Sequence, residues 1–185
     1  MVSAKIIDLE IVTANFIKLL KKTRVPYMIV GGGAVNYFGD FRLTKDLDVV
    51  IALEPSSVNG LLGLLDKNGY KFHKKELEML AKLSNRFALA DPSDTYRIDL
   101  WIPKTSYEKN ALDRRQNKRT NHGLISFISP EDLILFKLLA GRPQDIIDLQ
   151  GVLTRQKGKL DRKYLKFWAM ALDKYEQLKK IEKEL

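Results

Sequence analysis

Hydrophobic residues recur along the chain at two spacings, one typical of helices and one typical of strands. The helical spacing, with its start and stop signals, predicts helices over 5–22, 34–38, 55–69, 74–83, 129–141, 143–157 and 161–185. Short apolar or alternating runs predict strands over 27–30, 46–51, 85–90, 95–102 and 124–128. The polar, basic stretch over 113–122 fits neither spacing, and we interpret it as a solvated loop.

Two of the predicted strands are close enough in sequence to form a β-hairpin. Residues 91–94 read Asp-Pro-Ser-Asp, a turn sequence between the runs 85–90 and 95–102. In the second run Asp99 lies between Ile98 and Leu100 and faces the other side of the strand. Asp99 is therefore a polar interruption of a hydrophobic ribbon.

These elements predict an α+β fold, with a mixed β-sheet packed with helices and a helical bundle at the C-terminus. At 185 residues the chain can bury a substantial core without disulfides or metals. We divide it into an α/β core over 1–128 and a C-terminal helical subdomain over 129–185 that packs on the core. No Pro- or Ser-rich linker occurs near 129, so we expect a tight boundary.

The amino-acid composition limits the reactions, compartments and partners that suit the protein. The chain has no cysteine, which excludes disulfides, thiolate zinc sites and cysteine nucleophiles and fits a reducing cytoplasm. No apolar run reaches membrane-spanning length, so we expect a soluble cytoplasmic protein without a membrane partner. The net charge of +9 favours a polyanionic partner such as nucleic acid, although a lysine-rich solvated surface would give the same charge.

Asp46 and Asp48 lie at the start of a predicted strand and are the first candidates for chemistry. Residues two apart in a strand share a face roughly 6.5–7 Å apart, so both carboxylates point the same way while Leu47 and Val49 face the core. Such a pair is costly unless positive charge lies near it. A divalent cation such as Mg²⁺ suits carboxylate oxygens, and substrate phosphates can complete its coordination.

Gly31, Gly32 and Gly33 stand between a predicted strand and a short helix. Glycines let backbone N–H groups approach a triphosphate, and a helix N-terminus favours negative charge. If the strand of Asp99 lies beside that of Asp46, three carboxylates come within reach of one or two metal ions. A phosphate cradle and metal-binding carboxylates in one cleft are the requirements of nucleotidyl transfer.

Two segments of this chain resemble the signature of the DNA polymerase β-like nucleotidyltransferase superfamily. They are Ile29-Val30-Gly31-Gly32 and, after thirteen intervening residues, Asp46-Leu47-Asp48-Val49. A finer pattern is similar to the AbiEii-like and minimal nucleotidyltransferases of toxin–antitoxin systems. It comprises Gly-Gly-x-Ala at 31–34, Arg42-x-Thr44-x-Asp46-x-Asp48 and the segment 138–149.

This resemblance implies a metal-dependent nucleotidyltransferase. Asp46 and Asp48 would bind Mg²⁺ or Mn²⁺, and Asp99 would complete the triad as the base or metal-linked group that activates an acceptor hydroxyl. The substrate would be an NTP, and the acceptor an RNA 3′ end such as that of tRNA, or a protein; a cognate antitoxin or other partner chain is also implied. Nucleotide-binding candidates are Gly31, Gly32, Arg42, Lys45 and Lys137, with Arg142, Asp145 and Asp148 near the nucleotide or bracing the site.

Each candidate also has a structural interpretation. Asp46 and Asp48 could be neutralised by Arg42, Lys45 or Arg97, and Asp99 by Arg97 or another basic group. Asp145 has the i, i+3 spacing for an ion pair with Arg142, which we favour over metal binding. The remaining interpretations are phosphate contact or snorkelling for Lys137, surface positions for His73 and His122, and base stacking or half-burial for Trp101.

The competing function is a non-catalytic nucleic-acid- or partner-binding module that keeps the fold without turnover. Convergence of the carboxylates favours catalysis, whereas basic side chains between them favour the binding module.

Overall fold

Six strands form one mixed sheet in the computed structural model, which describes residues 9–75, 78 and 86–185. The strands are β1 (Tyr27–Ile29), β2 (Asp46–Ile51), β3 (Arg86–Ala90), β4 (Arg97–Trp101), β5 (Gln116–Thr120) and β6 (Gly123–Phe127). Their order across the sheet is β3-β4-β2-β1-β6-β5. The pairs β1–β6 and β2–β4 are parallel, and the other neighbours are antiparallel.

Helices cover the sheet and continue to the C-terminus. In the described residues they are α1 (Leu9–Thr23), α2 (Gly31–Phe38), α3 (Val58–Lys67), α4 (Ser106–Asp113), α5 (Pro130–Ala140), α6 (Pro143–Arg155), α7 (Arg162–Ala171) and α8 (Tyr175–Lys183). A single 3₁₀ turn, Pro55–Ser57, precedes α3. No helix in the described part of the chain is long and apolar enough to cross a membrane.

The predicted α+β class is confirmed, and its local signals explain why. The N-cap of α5 is Ser129, whose hydroxyl accepts a hydrogen bond from the N–H of Asp132 at 3.1 Å. The helix ends at Gly141, whose φ of 65° is the left-handed C-terminal conformation that glycine favours. The core is continuous between the sheet and helices, with Phe16 and Leu20 of α1 and Ile51 of β2 at 0% exposure.

The predicted hairpin is also confirmed, as β3 and β4. The Asp91 carboxylate shapes its turn by accepting hydrogen bonds from the N–H groups of Ser93, Thr95 and Tyr96 at 2.7–2.9 Å. Most of the helix predicted over 74–83, the start of the helix predicted over 5–22 and the first residue of the strand predicted from 85 lie outside the described residues. The boundary at 129 stays a prediction.

The single helix predicted over 161–185 is wrong, because the chain turns between α7 and α8. Asp173 takes a φ of 55°. The N–H of Lys174 then donates to the carbonyl of Ala169 at 2.8 Å, and that of Asp173 to Met170 at 3.1 Å. This is the hydrogen-bond pattern of a Schellman motif, which ends α7 with a left-handed residue other than glycine.

The loop predicted over 113–122 is also wrong for most of its length. Residues Gln116–Thr120 form β5, an edge strand in antiparallel register with β6. Its polar side chains suit an edge strand that faces solvent, and the ladder to β6 decides its conformation. Helix α4 was not predicted, although Thr105 and Glu108 form a capping box that the sequence spacing could have indicated.

Candidate active site

Asp46 and Asp48 open β2 at its solvent-facing end. Asp46 is exposed and Asp48 is half-buried, while Leu47 between them is buried against the core. The carbonyl of Asp48 accepts a hydrogen bond from the N–H of Val30 at 3.0 Å, which ties β2 to the end of β1. The alternation predicted from the sequence therefore places both carboxylates on one face of the sheet.

Asp99 lies directly beside Asp48. Strands β2 and β4 are parallel and in register, with Asp48 opposite Asp99 and Asp46 opposite Arg97. Residues paired in this way point to the same face of a sheet. The structure thus brings the Asp48 and Asp99 positions together, although the sequence separates them by about fifty residues.

Two arginines hold the Asp99 carboxylate, which is almost completely buried. Nε of Arg97 donates to Asp99 Oδ1 and Nη2 of Arg86 to Oδ2, both at 2.9 Å. The ion pair expected between Asp99 and Arg97 is therefore present, and Arg86 adds a second. The guanidinium of Arg86 also lies over the half-buried ring of Trp101, 4.6 Å from its centroid.

Arginines hold Asp99, but in the described part of the chain they do not hold Asp46 or Asp48. No ion pair to either carboxylate occurs among the described residues, because Arg42 binds Asp148 and Arg97 binds Asp99. Burial raises the pKa of the Asp48 carboxyl, and the nearby carboxylates of Asp99 and Asp46 raise it further, against the opposing charges of Arg86 and Lys137. Negative charge at Asp48 is thus incompletely compensated.

The glycines form the first turn of α2, and Gly31 lies against the Asp48 carboxylate. Gly31 has a φ of 57°, and a Cβ built on it would lie 2.0 Å from Oδ2 of Asp48. A Cβ on Gly32 would lie 2.8 Å from Oγ1 of Thr44. The first N–H groups of a helix have no partner within it, so this turn presents donors beside Asp48.

A second charged cluster is built from the loop before β2 and from α5 and α6. Arg42 makes a bidentate pair with Asp148, with Nε–Oδ1 at 2.8 Å and Nη2–Oδ2 at 3.1 Å. Asn36 of α2 holds the backbone of Arg42 by two hydrogen bonds of 2.9 Å. Lys45 lies on the same loop and is exposed. The loop is thereby fixed to both α2 and α6.

Lys137 is the centre of this cluster. Its ammonium donates to Oδ1 of Asp145 at 2.9 Å and to Oδ2 of Asp148 at 2.6 Å, and its side chain is only 6% exposed. Snorkelling is therefore not observed. Arg142 Nε also binds Asp145 at 2.6 Å, which confirms the predicted i, i+3 ion pair.

Ion pairing sets the charge state of these carboxylates. Burial acts to raise the pKa of Asp145, but hydrogen bonds from Arg142 and Lys137 lower it to about 2. Burial acts in the same direction on Asp148, and hydrogen bonds from Arg42, Lys137 and Gln144 bring its pKa below the usual value. Both remain ionised at neutral pH and keep Lys137 in place.

The carboxylates of Asp46 and Asp48 fit a hard divalent cation, since they supply oxygen donors with uncompensated charge. Asp99 adjoins them but is engaged by arginines, and no group of three or more metal-binding side chains assembles in the described part of the chain. His73 and His122 are exposed, as expected for surface residues.

A cleft of about 610 Å³ borders Asp46. Several of its lining side chains, including Ile29, Leu47 and Phe127, belong to the sheet face opposite Asp48. The cleft is therefore largely separate from the face on which Asp48 and Asp99 meet.

The family described as "Nucleotidyltransferase of unknown function (DUF6036)" matches residues 8–184. The chain belongs to this nucleotidyltransferase family. The match spans the glycine turn, all three aspartates and the Lys137 cluster. A comparison with curated protein sequences finds no match to this chain.

Solved structures share the fold. The lincomycin-bound lincosamide antibiotic adenylyltransferase LnuA is 15% identical, with a TM-score of 0.56 over 79% of this chain and 96% of that chain. The antibiotic-resistance factor ANT(2″)-Ia is 14% identical, with a TM-score of 0.58 over 97% of this chain and 100% of that chain. An antigenic nucleotidyltransferase-like protein from Paracoccidioides brasiliensis is 18% identical, with a TM-score of 0.51 over 93% and 90%. At these identities, the likeness concerns the fold.

Arg86 is the residue at this site that the sequence did not single out. It opens β3 and alternates with Ala88 and Ala90, and Ala88 is the register partner of Asp99. The hairpin indicated that β3 would adjoin Asp99, but its register depends on how the turn closes. The basic first residue of β3 was the available signal.

Proposed function

We propose that the nucleotidyltransferase transfers a nucleoside monophosphate from an NTP to a hydroxyl group, with Mg²⁺ or Mn²⁺ as cofactor. The observation that supports this most is the meeting of Asp48 with the Gly31 turn on one side and Asp99 on the other. Hydrogen-bond donors for the phosphates, ligands for the cation and a carboxylate base would then follow one another across the sheet.

In the proposed reaction, the acceptor hydroxyl oxygen attacks the α-phosphorus of the NTP. The bond between the α-phosphorus and the oxygen bridging to the β-phosphorus breaks, and pyrophosphate leaves. The hydroxyl proton passes to Asp99, whose carboxylate oxygens retain lone pairs beyond those that Arg86 and Arg97 occupy. A cation held by Asp46 and Asp48 would supply charge stabilisation for the phosphates.

The basic residues have positioning roles in this proposal. N–H groups of Gly31 and Gly32 bind phosphate oxygens, and Lys45 is exposed next to Asp46 in the sequence. Arg42 and Lys137 contribute positive charge, while Asp145 and Asp148 hold them in place. The effect of Lys137 on the Asp48 carboxyl supports its position near the nucleotide.

We propose an RNA 3′ end, such as that of tRNA, or a protein hydroxyl as the acceptor. The resemblance to AbiEii-like and minimal nucleotidyltransferases supports a cytoplasmic toxin–antitoxin component with a cognate partner chain. The division into a core over 1–128 and a helical subdomain over 129–185 belongs to the same proposal.

The alternative is a binding module that keeps the fold without turnover. The observation in its favour is that both oxygens of Asp99 already bind arginines. If those arginines prevent Asp99 from acting as a base, the protein would bind nucleotide or nucleic acid without transferring a nucleotide.

One assay separates the two functions. The protein is incubated with Mg²⁺ or Mn²⁺, each α-labelled NTP, and total RNA or candidate proteins. We expect label on an acceptor with the wild type, and at least a roughly hundredfold loss with Asp46→Ala. Asp66→Ala is the matched control, because Asp66 is exposed on α3 and pairs only with an exposed lysine among the described residues.

Two results would contradict parts of this proposal. Label transfer that persists in Asp46→Ala would show that the site is assigned to the wrong residues. No transfer with any NTP and acceptor would favour the binding module.

A further inference from the structure

Two arginines share the face of the sheet that carries the aspartates, and they lie on the side away from the glycine turn. The strand order places Arg86 on β3, Arg97 and Asp99 on β4, and Asp48 on β2, with the glycine turn after β1. The proposed phosphate cradle is thus on one side of Asp48 and the arginines are on the other.

Both arginines are accessible from solvent while they hold Asp99. The side chain of Arg86 is 48% exposed and that of Arg97 is 59% exposed, whereas that of Asp99 is 5% exposed. The contact with Asp99 engages one N–H donor of the Arg97 guanidinium, and a guanidinium has five. Arg97 can therefore contact an anion on the open face without leaving Asp99, and Arg86 adds positive charge beside it.

The surface beside them has room for a ligand. The small side chains of Ala88 and Ala90 lie on the same face of β3 as Arg86. Ala88, Ala90 and Arg97 line an open groove of about 780 Å³, together with Lys71 and His73. Lys71 also pairs with Asp94, the acidic residue of this lining. Ala88 is the register partner of Asp99, so the groove adjoins the strand position of that carboxylate.

We infer that the acceptor carries a phosphate group close to its reactive hydroxyl, and that Arg97 binds this phosphate while Arg86 adds positive charge beside it. The inference rests on the proposed function, because it takes Asp99 as the acceptor side of the site. A single-stranded RNA end has both groups, since a phosphodiester precedes its terminal nucleoside. A polycationic acceptor would be repelled by the two arginines. A protein hydroxyl has no neighbouring phosphate for an arginine to bind.

Direct binding tests the inference without requiring turnover. The probe is a ten-nucleotide RNA with a 5′ fluorophore and a free 3′ hydroxyl, and its anisotropy is measured against the full chain at several KCl concentrations. For Arg97→Gln we expect the Kd to rise about tenfold. We also expect the slope of log K against log salt to decrease in size by about 0.7, the value for one phosphate contact on a single strand.

Two further variants separate a phosphate contact from a general charge effect. Arg155→Gln removes an arginine of similar exposure, 60%, which also pairs with an aspartate, Asp40 at 2.6 Å. We expect it to bind RNA as the wild type does. Arg97→Lys keeps the charge, so it should retain the salt slope even if affinity falls. Circular dichroism of every variant establishes that each is folded.

Measuring NTP binding by the same variant tests whether Arg97 contacts the nucleotide instead of the acceptor. We expect Arg97→Gln to leave the affinity for a fluorescent NTP analogue within about twofold of the wild type. A loss of NTP affinity with unchanged RNA affinity would assign the arginines to the triphosphate and overturn the inference. Equal losses of RNA affinity in Arg97→Gln and Arg155→Gln would also overturn it, as would unchanged RNA affinity with transfer to a protein.

The proposed function can fail separately. If the protein transfers no label but Arg97→Gln still loses RNA affinity selectively, the phosphate-binding surface stands and the transfer reaction does not.

Discussion

Removing the Lys137 ammonium should destabilise the protein substantially, because two buried carboxylates depend on it. In Lys137→Met, Asp145 and Asp148 each lose a hydrogen-bonded cation while staying 1% and 2% exposed in their side chains. Arg142 remains with Asp145, and Arg42 remains with Asp148. Breaking a buried ion pair typically costs about 3–5 kcal/mol, and the remaining arginines place this variant near the lower end.

The charge state of Asp145 supports the direction of this effect. Its pKa falls from the ordinary 3.8 to about 2. At about 1.4 kcal/mol per pKa unit, the contacts of Asp145 with Arg142 and Lys137 together, net of its burial, stabilise the fold by roughly 2–3 kcal/mol at neutral pH. We therefore expect Lys137→Met to lower the free energy of unfolding by about 3 kcal/mol, and the Tm by roughly 6–12 °C for a chain of this size.

Thermal unfolding followed by circular dichroism at pH 7 measures this loss. Lys179→Met is the matched control, because Lys179 is 42% exposed and pairs at 3.5 Å with the exposed Glu176. Exposed pairs contribute little, so this variant should unfold within about 2 °C of the wild type. A Tm of Lys137→Met as close to the wild type as that of the control would refute the reasoning.

The pH dependence gives a second check with a definite sign. A carboxyl whose pKa is lowered by folding contributes stability that is fully present above its unfolded pKa and is lost as the pH falls through the folded value. For Asp145 that window runs from about 3.8 down to about 2. The difference between wild type and Lys137→Met should stay constant from pH 7 to about pH 5 and narrow below pH 3.8.

Two other substitutions test the glycine turn and a buried hydrogen bond. Gly31→Ala forces a left-handed alanine and a Cβ 2.0 Å from Oδ2 of Asp48, so we expect a loss of more than about 1–2 kcal/mol in urea unfolding. Gly60→Ala, whose Cβ meets no atom within 4 Å, should instead gain about 0.5–1 kcal/mol, and equal behaviour of the two would contradict the packing described. Tyr164→Phe removes the hydroxyl that donates to Oδ1 of the buried Asp132 at 2.6 Å, and calorimetry should show a loss of about 1–3 kcal/mol. An unchanged Tm in that variant would mean that another donor replaces the tyrosine.

Local patterns predicted the parts of the site that lie on one strand or one turn. Asp46 and Asp48 share a face because alternation in a strand is a local property, and β2 follows it. The glycine turn was predicted for the same reason, since an apolar run that ends in glycines limits what can follow. These positions needed no knowledge of the remaining chain.

Contacts between distant strands could not be obtained in this way. The pairing of Asp48 with Asp99 depends on β4 joining β2 in parallel, and parallel strands require a long crossover that the sequence does not specify. The same applies to Lys137, whose ion pairs exist only because α5 and α6 pack side by side. Sequence spacing therefore left its role open between phosphate contact and snorkelling.

An irregular helix end and a polar edge strand were the other sources of error. The break at Asp173 has no glycine or proline to mark it, and the left-handed residue is an aspartate. Conversely, β5 has no apolar residues, and its hydrogen bonds to β6 determine a strand that composition alone described as a loop.

The pairing of Asp148 with both Arg42 and Lys137 has a consequence for how this chain can vary among relatives. Arg42 lies before β2, whereas its partner is 106 positions later on α6. A C-terminal segment from another protein would leave Arg42 facing an unrelated surface unless it supplied an acid at the position of Asp148. The two ends of the molecule must therefore be inherited together, and substitutions at position 42 should be accompanied by changes at position 148.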